Sequence, residues 1–255
     1  MGEDRPGAGA EIRVPALKPP AERLYGRHRT HRLRPRQQKL LEQTLPRLRF
    51  DPACAGNPLL AFAQLRANGK VWGEIRHTPL WLEVGFGSGE HALAQITAYP
   101  EVAYIACEVF ENGICSLLSR LVPDGGEADA PLPPNLRLWD GDARTLLRLL
   151  PDASLDALFL LFPDPWPKGR HAKRRFVHPS LLPLIARVLR PGAEWRIASD
   201  DPTNQQWITE VLAAQSLFIT PPPGTTRPRG WPPTRYEAKA IAAGRQPLYW
   251  SLHRL

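Results

Sequence analysis

Residues 82–94 read LEVGFGSGEHALA. The apolar run that ends at Val84 has the length and composition of a buried β-strand, and the residues from Glu90 onward have the spacing of an amphipathic helix. Glycines 85, 87 and 89 separate the two. Glycine lets the backbone turn sharply and approach a ligand closely, and the free N–H groups of the following helix can bind that ligand. The stretch therefore predicts a strand, a ligand-binding turn and a helix, which is the opening unit of an α/β fold.

Downstream of this unit, short apolar runs alternate with helix-period segments almost to residue 255. Six runs indicate strands: LWLEVGF, VAYIACEV, NLRLW, LDALFLLF, AEWRIAS and QPLYWSLHRL. Five segments indicate helices: HALAQITAYP, NGICSLLSRL, ARTLLRLL, PSLLPLIARVLRP and NQQWITEVLAAQ. This alternation predicts βαβ units and a parallel sheet. The stretch PPPGTTRPRGWPPTRYEAKA, residues 221–240, is predicted as a long Pro-rich loop.

Length and charge restrict the class of protein. A chain of 255 residues with 43% hydrophobic residues can bury a full core, so we expect one α/β domain with appended segments. The net charge of +8 favours a polyanionic partner, either a nucleic acid or an anionic membrane surface. No apolar run approaches the roughly 20 residues that cross a bilayer, and the first residues lack the features of a signal peptide or a myristoylation site. We therefore expect a cytoplasmic protein without membrane attachment.

Cysteine and histidine spacing gives no sign of a metal site. Cys54, Cys107 and Cys115 form no CxxC pair, and only His28 and His31 among the histidines lie close together. Free thiols in a reducing compartment and no bound metal are the expected state.

Residues 1–58 are predicted to be a basic, Pro- and Arg-rich arm that is partly disordered, and residues 59–255 to be the folded domain. Between Arg23 and Arg49 there are nine Lys or Arg residues and one acid, Glu42. Such a segment is either a solvated tail without a role or a basic arm that contacts phosphates. RQQKLLEQTL within it is a candidate short helix.

The glycine spacing separates several nucleotide-binding motifs. A dinucleotide fingerprint G-x-G-x-x-G that starts at Gly85 requires glycine at position 90, which is Glu90. No Gly-Lys-Ser/Thr follows, so the loop is not a P-loop either. The spacing E-x-G-x-G-x-G instead resembles the first motif of class I S-adenosylmethionine methyltransferases, which implies S-adenosyl-L-methionine as the cofactor.

Acids at successive strand ends agree with that cofactor. Glu108 ends the second strand, where a carboxylate can accept hydrogen bonds from both hydroxyls of a ribose. Asp142 follows the third strand, where its carboxylate or the neighbouring backbone can contact an adenine amino group. Glu83 precedes the glycines and is expected near the methionine end. The competing interpretation is that such acids are solvated or cap the next helix.

A second stretch, FPDPWPKGRHAKRR at residues 162–175, combines one acid with five cations. The cations fit a loop that brings a phosphate backbone to Asp164, and the alternative is a solvated face. Trp166 either stacks on a base or packs the loop. Together with LEVGFGSG, CEV, GDA, IASDD and TRYEAKA, the stretch resembles the bacterial tRNA (guanine-N7)-methyltransferases over about residues 80 to 254.

The resemblance implies a Rossmann-like class I methyltransferase fold, with a mainly parallel sheet of about seven strands and helices on both faces. It also implies transfer of a methyl group from S-adenosyl-L-methionine to N7 of guanine 46 in the variable loop of tRNA. The implied cofactor contacts are Glu83, Glu108, Asp142 and Asp164, with Gly85, Gly87 and Gly89 in the turn. Asp164 is also the implied catalytic residue. The implied substrate contacts are Lys168, Asp200, Thr234, Arg235, Tyr236 and Glu237, and the implied RNA-binding segment is Arg170, His171, Ala172, Lys173, Arg174 and Arg175.

Guanine N7 carries a lone pair and no proton, so Asp164 is interpreted as a group that orients guanine rather than as a general base. Its alternative duty is contact with the amino group of the cofactor. Alternative functions are a class I methyltransferase that acts on rRNA or a small molecule, and a non-catalytic RNA-binding protein with the same fold. Related enzymes that methylate exocyclic amines carry Asp/Asn-Pro-Pro-aromatic, from which Asp-Pro-Trp-Pro departs. The sequence leaves open whether the chain is a monomer or a homodimer and which tRNAs are preferred.

Overall fold

A computed structural model describes residues 32–63, 66–67, 70–71 and 77–255. The strands in these ranges are β1 (Arg66–Ala67), β2 (Lys70–Val71), β3 (Leu80–Val84), β4 (Ala103–Cys107), β5 (Leu136–Trp139), β6 (Leu155–Leu161), β7 (Leu189–Ser199), β8 (Phe218–Ile219) and β9 (Leu248–Arg254). The α-helices are α1 (Pro35–Lys39), α2 (Leu45–Leu48), α3 (Glu90–Ala98), α4 (Glu111–Leu121), α5 (Ala143–Leu149), α6 (Leu182–Val188), α7 (Pro202–Ala213) and α8 (Arg235–Ala242). A π-helical turn at Leu40–Thr44 joins α1 to α2, and 3-10 helices occupy Pro52–Cys54, Pro58–Phe62 and Gly169–Arg174.

One large sheet organises the described residues. Its strand order is β5-β4-β3-β6-β7-β9-β8, in which β5, β4, β3, β6 and β7 are parallel and β9 runs antiparallel to both of its neighbours. The expected mainly parallel sheet of seven strands is confirmed. The chain moves outward from β3 through β4 to β5 and then returns to add β6 beside β3. In such sheets a crevice opens at the carboxyl ends of the strands where the order reverses.

Helices cover both faces of this sheet, as expected. One core cluster joins the strands to α5, α6 and α7 through residues such as Leu82, Leu146, Ile185 and Ile208. The other joins them to the π-helical turn, α2, α3 and α4 through residues such as Tyr104, Ile96 and Leu117. All five residues of β4 are buried, because both faces of this strand are covered. This burial explains why the strand appears in the sequence as a continuous apolar run.

The described part of the N-terminal arm packs on the domain. Leu40, Leu45 and Leu48 are buried, and the Thr44 hydroxyl donates to the Glu127 carbonyl at 2.6 Å. Pro46 has no N–H for a helical hydrogen bond, and the π-helical turn immediately before α2 accommodates it. The candidate helix RQQKLLEQTL lies within this helical segment. Residues 1–31 lie outside the described residues, so partial disorder and the division at residue 58 stay predictions.

Helix α8 and the two-residue strands β1, β2 and β8 were not predicted from the sequence. Helix α8 lies within the stretch that was predicted to be loop, and β8 has only two residues. Strand β7 also begins at Leu189, earlier than AEWRIAS indicated, because Leu189 pairs with Leu155 before a register shift that contains Pro191 and Gly192. Short elements are hard to detect from periodicity because they contain few repeats of the pattern.

The part of the Pro-rich stretch that precedes α8 is hydrogen-bonded to the sheet and packs against it. Gly224 exchanges backbone hydrogen bonds with Tyr249 of β9 at 2.9 Å, and the buried Trp231 packs edge-on against the Tyr249 ring. Across residues 32–63 and 77–255, no helix has the length and apolar character to cross a membrane. The three cysteines are free.

Candidate active site

A cleft of about 780 Å³ opens at the carboxyl ends of β3, β4, β5 and β6. Of the residues predicted from the sequence, its lining includes Gly85, Gly87, Glu108, Asp142, Asp164, Arg174, Arg175 and Tyr236. The lining does not include Glu83, Gly89, Lys168, Arg170, His171, Ala172, Lys173, Asp200, Thr234, Arg235 or Glu237. The fold thus brings three of the four strand-associated acids to one crevice and places the other predicted groups around it or beneath it.

The glycine loop forms the floor of the cleft. The N–H groups of Gly85 and Phe86 donate to the Cys107 carbonyl, which ties the turn to the end of β4. Gly89 is the N-cap of α3 and has φ +81°, and a Cβ there would lie 2.7 Å from Leu117. Glycine at this position therefore satisfies both a left-handed backbone and close packing against α4.

The Glu108 carboxylate is already bonded to the backbone around it. One oxygen accepts from the N–H groups of Val109 and Phe110 at 2.8 and 3.0 Å, and the other accepts from Gly87 N–H at 2.8 Å. Burial raises the pKa of Glu108, an effect that these N–H groups oppose and the nearby Asp164 charge reinforces. A carboxylate has about four acceptor sites, so about one remains for a ligand.

Asp142 acts as the N-cap of α5. Its carboxylate accepts from the Arg144 N–H at 2.9 Å and forms an ion pair with the Arg144 guanidinium. The helix-cap interpretation of this strand-end acid is therefore confirmed. Because the carboxylate is engaged, the neighbouring backbone is the more available partner for a ligand in the cleft.

Asp164 differs from the other acids because it is exposed. Within the described residues its carboxylate has no hydrogen-bond or ion-pair partner. Phe162 and Trp166, on either side of it, have φ values of +53° and +44°. Side chains of this size rarely adopt left-handed backbone, and such strain is concentrated at functional sites. The loop thus holds a free carboxylate at the rim of the cleft.

The cations that follow Asp164 have different surroundings. Lys168, Arg170 and Lys173 are exposed, whereas the Arg174 guanidinium lies 4.9 Å above the Trp166 ring. Arg175 is only 7% exposed, and its guanidinium donates to the carbonyls of Pro165 and Trp166 at 3.1 and 3.0 Å. Within this basic segment, Lys168, Arg170 and Lys173 thus face solvent, whereas Arg175 faces the protein interior.

His171 and Trp166 also belong to this loop. Desolvation and the neighbouring cations lower the pKa of His171, which disfavours its charged form. The Trp166 ring packs edge-on against the His171 imidazole, with the ring centroids 5.7 Å apart. Trp166 thus packs the loop while it also lines the cleft.

Glu83 lies beneath the cleft within the sheet and is 2% exposed. Its carboxylate accepts from the Tyr104 hydroxyl at 2.8 Å and lies 3.2 Å from His91 Nδ1. These contacts join β3 to β4 and α3. Burial and the Glu83 carboxylate raise the pKa of Tyr104 well above its usual range, so the phenol stays a donor.

The TRYE stretch forms the start of α8. The Thr234 hydroxyl accepts from Glu237 N–H at 3.1 Å, and the Glu237 carboxylate accepts from Thr234 N–H at 3.4 Å, which together make a capping box. Glu237 is buried and is also bonded to Arg227 and to the Tyr249 hydroxyl.

Within α8, Arg235 is exposed and Tyr236 reaches the cleft. The Tyr236 ring lies over the glycine loop, 2.7 Å from where a Cβ on Gly87 would stand. Burial, reinforced by the charges of Glu108 and Asp164, raises the pKa of Tyr236. Asp200, at the end of β7, is paired with Arg245 at 2.7 Å.

Sequence comparisons agree with this geometry. The profile of a family described as "Putative methyltransferase" matches residues 77–249. A tRNA (guanine-N(7)-)-methyltransferase of Granulibacter bethesdensis is 61% identical over 92% of this chain and 96% of its own length. One of Rhodospirillum rubrum is 42% identical over 91% of this chain and 88% of its own length. The chain belongs to the tRNA (guanine-N7)-methyltransferase family.

A protein of much lower sequence identity has a similar fold. The crystal structure of the 16S rRNA methyltransferase KamB is similar with a TM-score of 0.53 at 17% identity, over 78% of this chain and 92% of that chain. At that level of identity the similarity concerns the fold alone. It agrees with the Rossmann-like class I architecture expected from the sequence.

Two residues at this family member's site were not singled out from the sequence. A Cβ on Gly113 of α4 would stand 2.4 Å from the Gly87 carbonyl, so only glycine lets α4 approach the loop this closely. Trp207 of α7 supports Arg175, whose guanidinium lies 4.8 Å above its ring. The sequence carried no signal for either, because each depends on contact between elements that lie far apart along the chain.

Proposed function

We propose that this chain transfers the methyl group of S-adenosyl-L-methionine to N7 of guanine 46 in the variable loop of tRNA. The observation that carries the proposal is the free carboxylate of Asp164, held by a strained loop at the rim of a cleft with cations beside it. The names of the relatives supply the substrate class. A tRNA substrate also implies that the chain works in the cytoplasm.

The residues of the cleft fit S-adenosyl-L-methionine. A volume of about 780 Å³ lies within the range of small-molecule sites, about 300 to 1,000 Å³. Nothing lies within 4 Å of where a Cβ on Gly85 would stand, so the turn leaves open space on the side of the cleft. The remaining acceptor site of Glu108 suits one ribose hydroxyl, and the backbone beside Asp142 suits the adenine amino group.

When bound, S-adenosyl-L-methionine supplies a methyl group on a sulfonium centre, which is already a strong methyl donor. The chain must then align guanine N7 with that methyl group, and alignment of this kind can supply about 7 to 11 kcal/mol of a barrier. No base is needed, because N7 has no proton to lose. We infer that Asp164 accepts hydrogen bonds from guanine N1–H and N2–H₂ and opposes the positive charge that develops on the base.

The same contact gives selectivity. Adenine has no N1–H, so it would leave the Asp164 carboxylate without one of its partners. Lys168, Arg170 and Lys173 are exposed beside the cleft, where they can hold the phosphates that a lone carboxylate would repel. The Tyr236 ring from α8 lies over the glycine loop at Gly87.

The test is incubation of the purified chain with labelled S-adenosyl-L-methionine and unmodified tRNA, followed by borohydride reduction and aniline cleavage, which cuts at 7-methylguanine. We expect cleavage at guanine 46 and no label in a tRNA in which adenine replaces that guanine. Label at another guanine would contradict the position, and label in another base would contradict the proposed chemistry.

A further inference from the structure

Arg175 is the one cation of the segment 168–175 that is buried in the described structure. Its guanidinium donates from Nε to the Pro165 carbonyl and from Nη2 to the Trp166 carbonyl, so it spans two consecutive peptide groups. These two hydrogen bonds, which we call the guanidinium fork, hold the loop at residues 163–167, which carries Asp164, against residue 175. A planar guanidinium places these two donors on separate nitrogens in a fixed geometry, whereas the ammonium of lysine offers only one nitrogen.

The Trp207 ring packs against the Arg175 guanidinium. The Arg175 guanidinium lies 4.8 Å above the Trp207 ring, and Trp207 Nε1 donates to the Val177 carbonyl at 2.6 Å. The His178 imidazole stacks on the same indole at 5.9 Å. The indole is therefore anchored to the backbone two residues beyond Arg175. Loop 163–167, Arg175 and helix α7 form one connected unit.

The loop needs such support because of its backbone. Trp166, whose carbonyl Arg175 binds, has φ +44°, an unfavourable conformation that persists only when its surroundings hold it. Asp164 is exposed, and its carboxylate has no hydrogen-bond or ion-pair partner within the described residues. Its position is thus set by the backbone of the loop rather than by its side chain.

We propose that Arg175 is a positioning residue that holds Asp164 in place for methyl transfer, and that it does not contact RNA phosphate. The proposal rests on the proposed function for its link to catalysis. The structural part of the proposal is that the two hydrogen bonds from Arg175 hold loop 163–167 in place, which we call the guanidinium clamp. This part can be tested whether or not the chain methylates tRNA.

Arg175→Lys separates the two roles because it keeps the positive charge and removes the fork. We expect kcat for tRNA methylation to fall by about 10- to 100-fold, since a displacement of about 1 Å can cost that much. The tRNA dissociation constant should change less than about twofold. The slope of log affinity against log salt should be unchanged in Arg175→Ala, where loss of a phosphate contact would reduce it by about one.

Arg187→Lys is the matched control. Arg187 also bonds backbone carbonyls, those of Leu147 and Leu150, but it lies at the end of α6, away from the cleft. We expect a lower melting temperature with kcat unchanged. If Arg175→Lys loses no more kcat than this control, the positioning role is wrong.

A readout independent of activity is limited cleavage with trypsin after Lys168 and Arg170. Loss of the clamp should speed cleavage in Arg175→Lys and, to a smaller degree, in Trp207→Phe, which weakens the support without changing charge. If Arg175→Lys fails to fold, Trp207→Phe carries the test through the same kcat and trypsin measurements. Unchanged loop cleavage with unchanged kcat in the folded variants, or a reduced salt slope in Arg175→Ala, would overturn the proposal. Failure of the wild-type chain to methylate tRNA would instead overturn the proposed function and leave the trypsin result to decide the clamp.

Discussion

The four acids associated with the ends of β3 to β6 have carboxylates in four different states. Glu83 is buried against Tyr104 and His91, and Glu108 accepts three backbone N–H groups. Asp142 caps a helix and pairs with Arg144. Asp164 has no partner within the described residues. The free carboxylate can bond a substrate without first breaking a bond to protein, which is why the catalytic proposal rests on it.

Asp164→Asn should lower kcat about 100-fold, because loss of one preorganised polar partner of a transition state typically costs 10²- to 10³-fold. The amide carries no charge to oppose the cationic base, and its NH₂ faces guanine donors. Single-turnover methylation of tRNA measures the rate, and calorimetry measures the affinity for S-adenosyl-L-methionine, which should change less than threefold. Asp124→Asn, an exposed acid away from the cleft, is the control. A loss of cofactor affinity as large as the loss of rate would show that Asp164 mainly holds the cofactor.

The raised pKa of Glu108 leads us to expect that cofactor binding depends on pH. Its pKa is raised by burial in the free chain, and a bound ribose hydroxyl favours the ionised form, so binding releases a proton between the bound and the free pKa. Affinity for S-adenosyl-L-methionine should therefore rise with pH and level off above the free pKa, which lies above 4.5. Calorimetry across a pH series measures this. Glu108→Gln cannot titrate, and the rise should be absent from it; a rise of equal size in that variant would assign it to another group.

At the scale of elements, α8 and the loop before it show how a short helix is positioned by its ends. The capping box of Thr234 and Glu237 begins α8, and the buried Glu237 carboxylate bonds the Tyr249 hydroxyl of β9. The Trp231 ring lies 6.0 Å from the Tyr249 ring, and the Arg196 guanidinium lies 5.3 Å from the Trp231 ring. These contacts place Tyr236 over the glycine loop although the stretch is rich in proline.

Thr234→Ala should lower the free energy of unfolding by about 1 kcal/mol, the usual cost of losing an N-cap side chain. Thr234→Ser keeps the hydroxyl and should retain most of that free energy. Urea denaturation measures both variants, and hydrogen exchange at the amides of α8 shows whether the loss is local. Equal stability of Thr234→Ala and Thr234→Ser would mean that the capping bond contributes nothing measurable.

At the scale of the whole molecule, the charge of +8 is divided between structure and surface. In the described part of the arm, Arg36 pairs with Glu127, Arg47 donates to the Ala130 carbonyl and Arg49 pairs with Asp140. Arg32, Arg34 and Lys39 remain exposed. A charge count alone therefore overstates how many cations are available to a polyanion.

Arg170→Gln and Lys173→Gln should each weaken tRNA binding and reduce the slope of log affinity against log salt by about one, because each is predicted to neutralise one phosphate. Arg254→Gln is the control. Arg254 ends the antiparallel strand β9 and so lies at the edge of the sheet opposite the cleft. Filter binding over a salt series measures the slopes. Slopes that equal the wild-type value in both loop variants would remove these cations from the RNA-binding surface.

The sequence by itself determined the alternation of strands and helices, the turn at Gly85, Gly87 and Gly89, and the order of the acids along the chain. These features are encoded locally, in side-chain period and turn chemistry over fewer than about 15 residues. The strands β3 to β7 and the helices between them were predicted close to their observed positions for this reason. Helix α8 was not, because its eight residues follow a Pro-rich stretch and its buried residues are only Glu237 and Ala240.

Only the tertiary structure decided what each of these residues contacts. The burial of Glu83 depends on Tyr104 and His91, and the inward orientation of Arg175 depends on Trp207 in a helix that begins 27 residues later. Hydrogen bonding and burial are set by which elements pack together, and a list of residue types in order does not contain that information. The same carboxylate or guanidinium can thus bind a ligand or support the fold according to the neighbours that the fold brings to it.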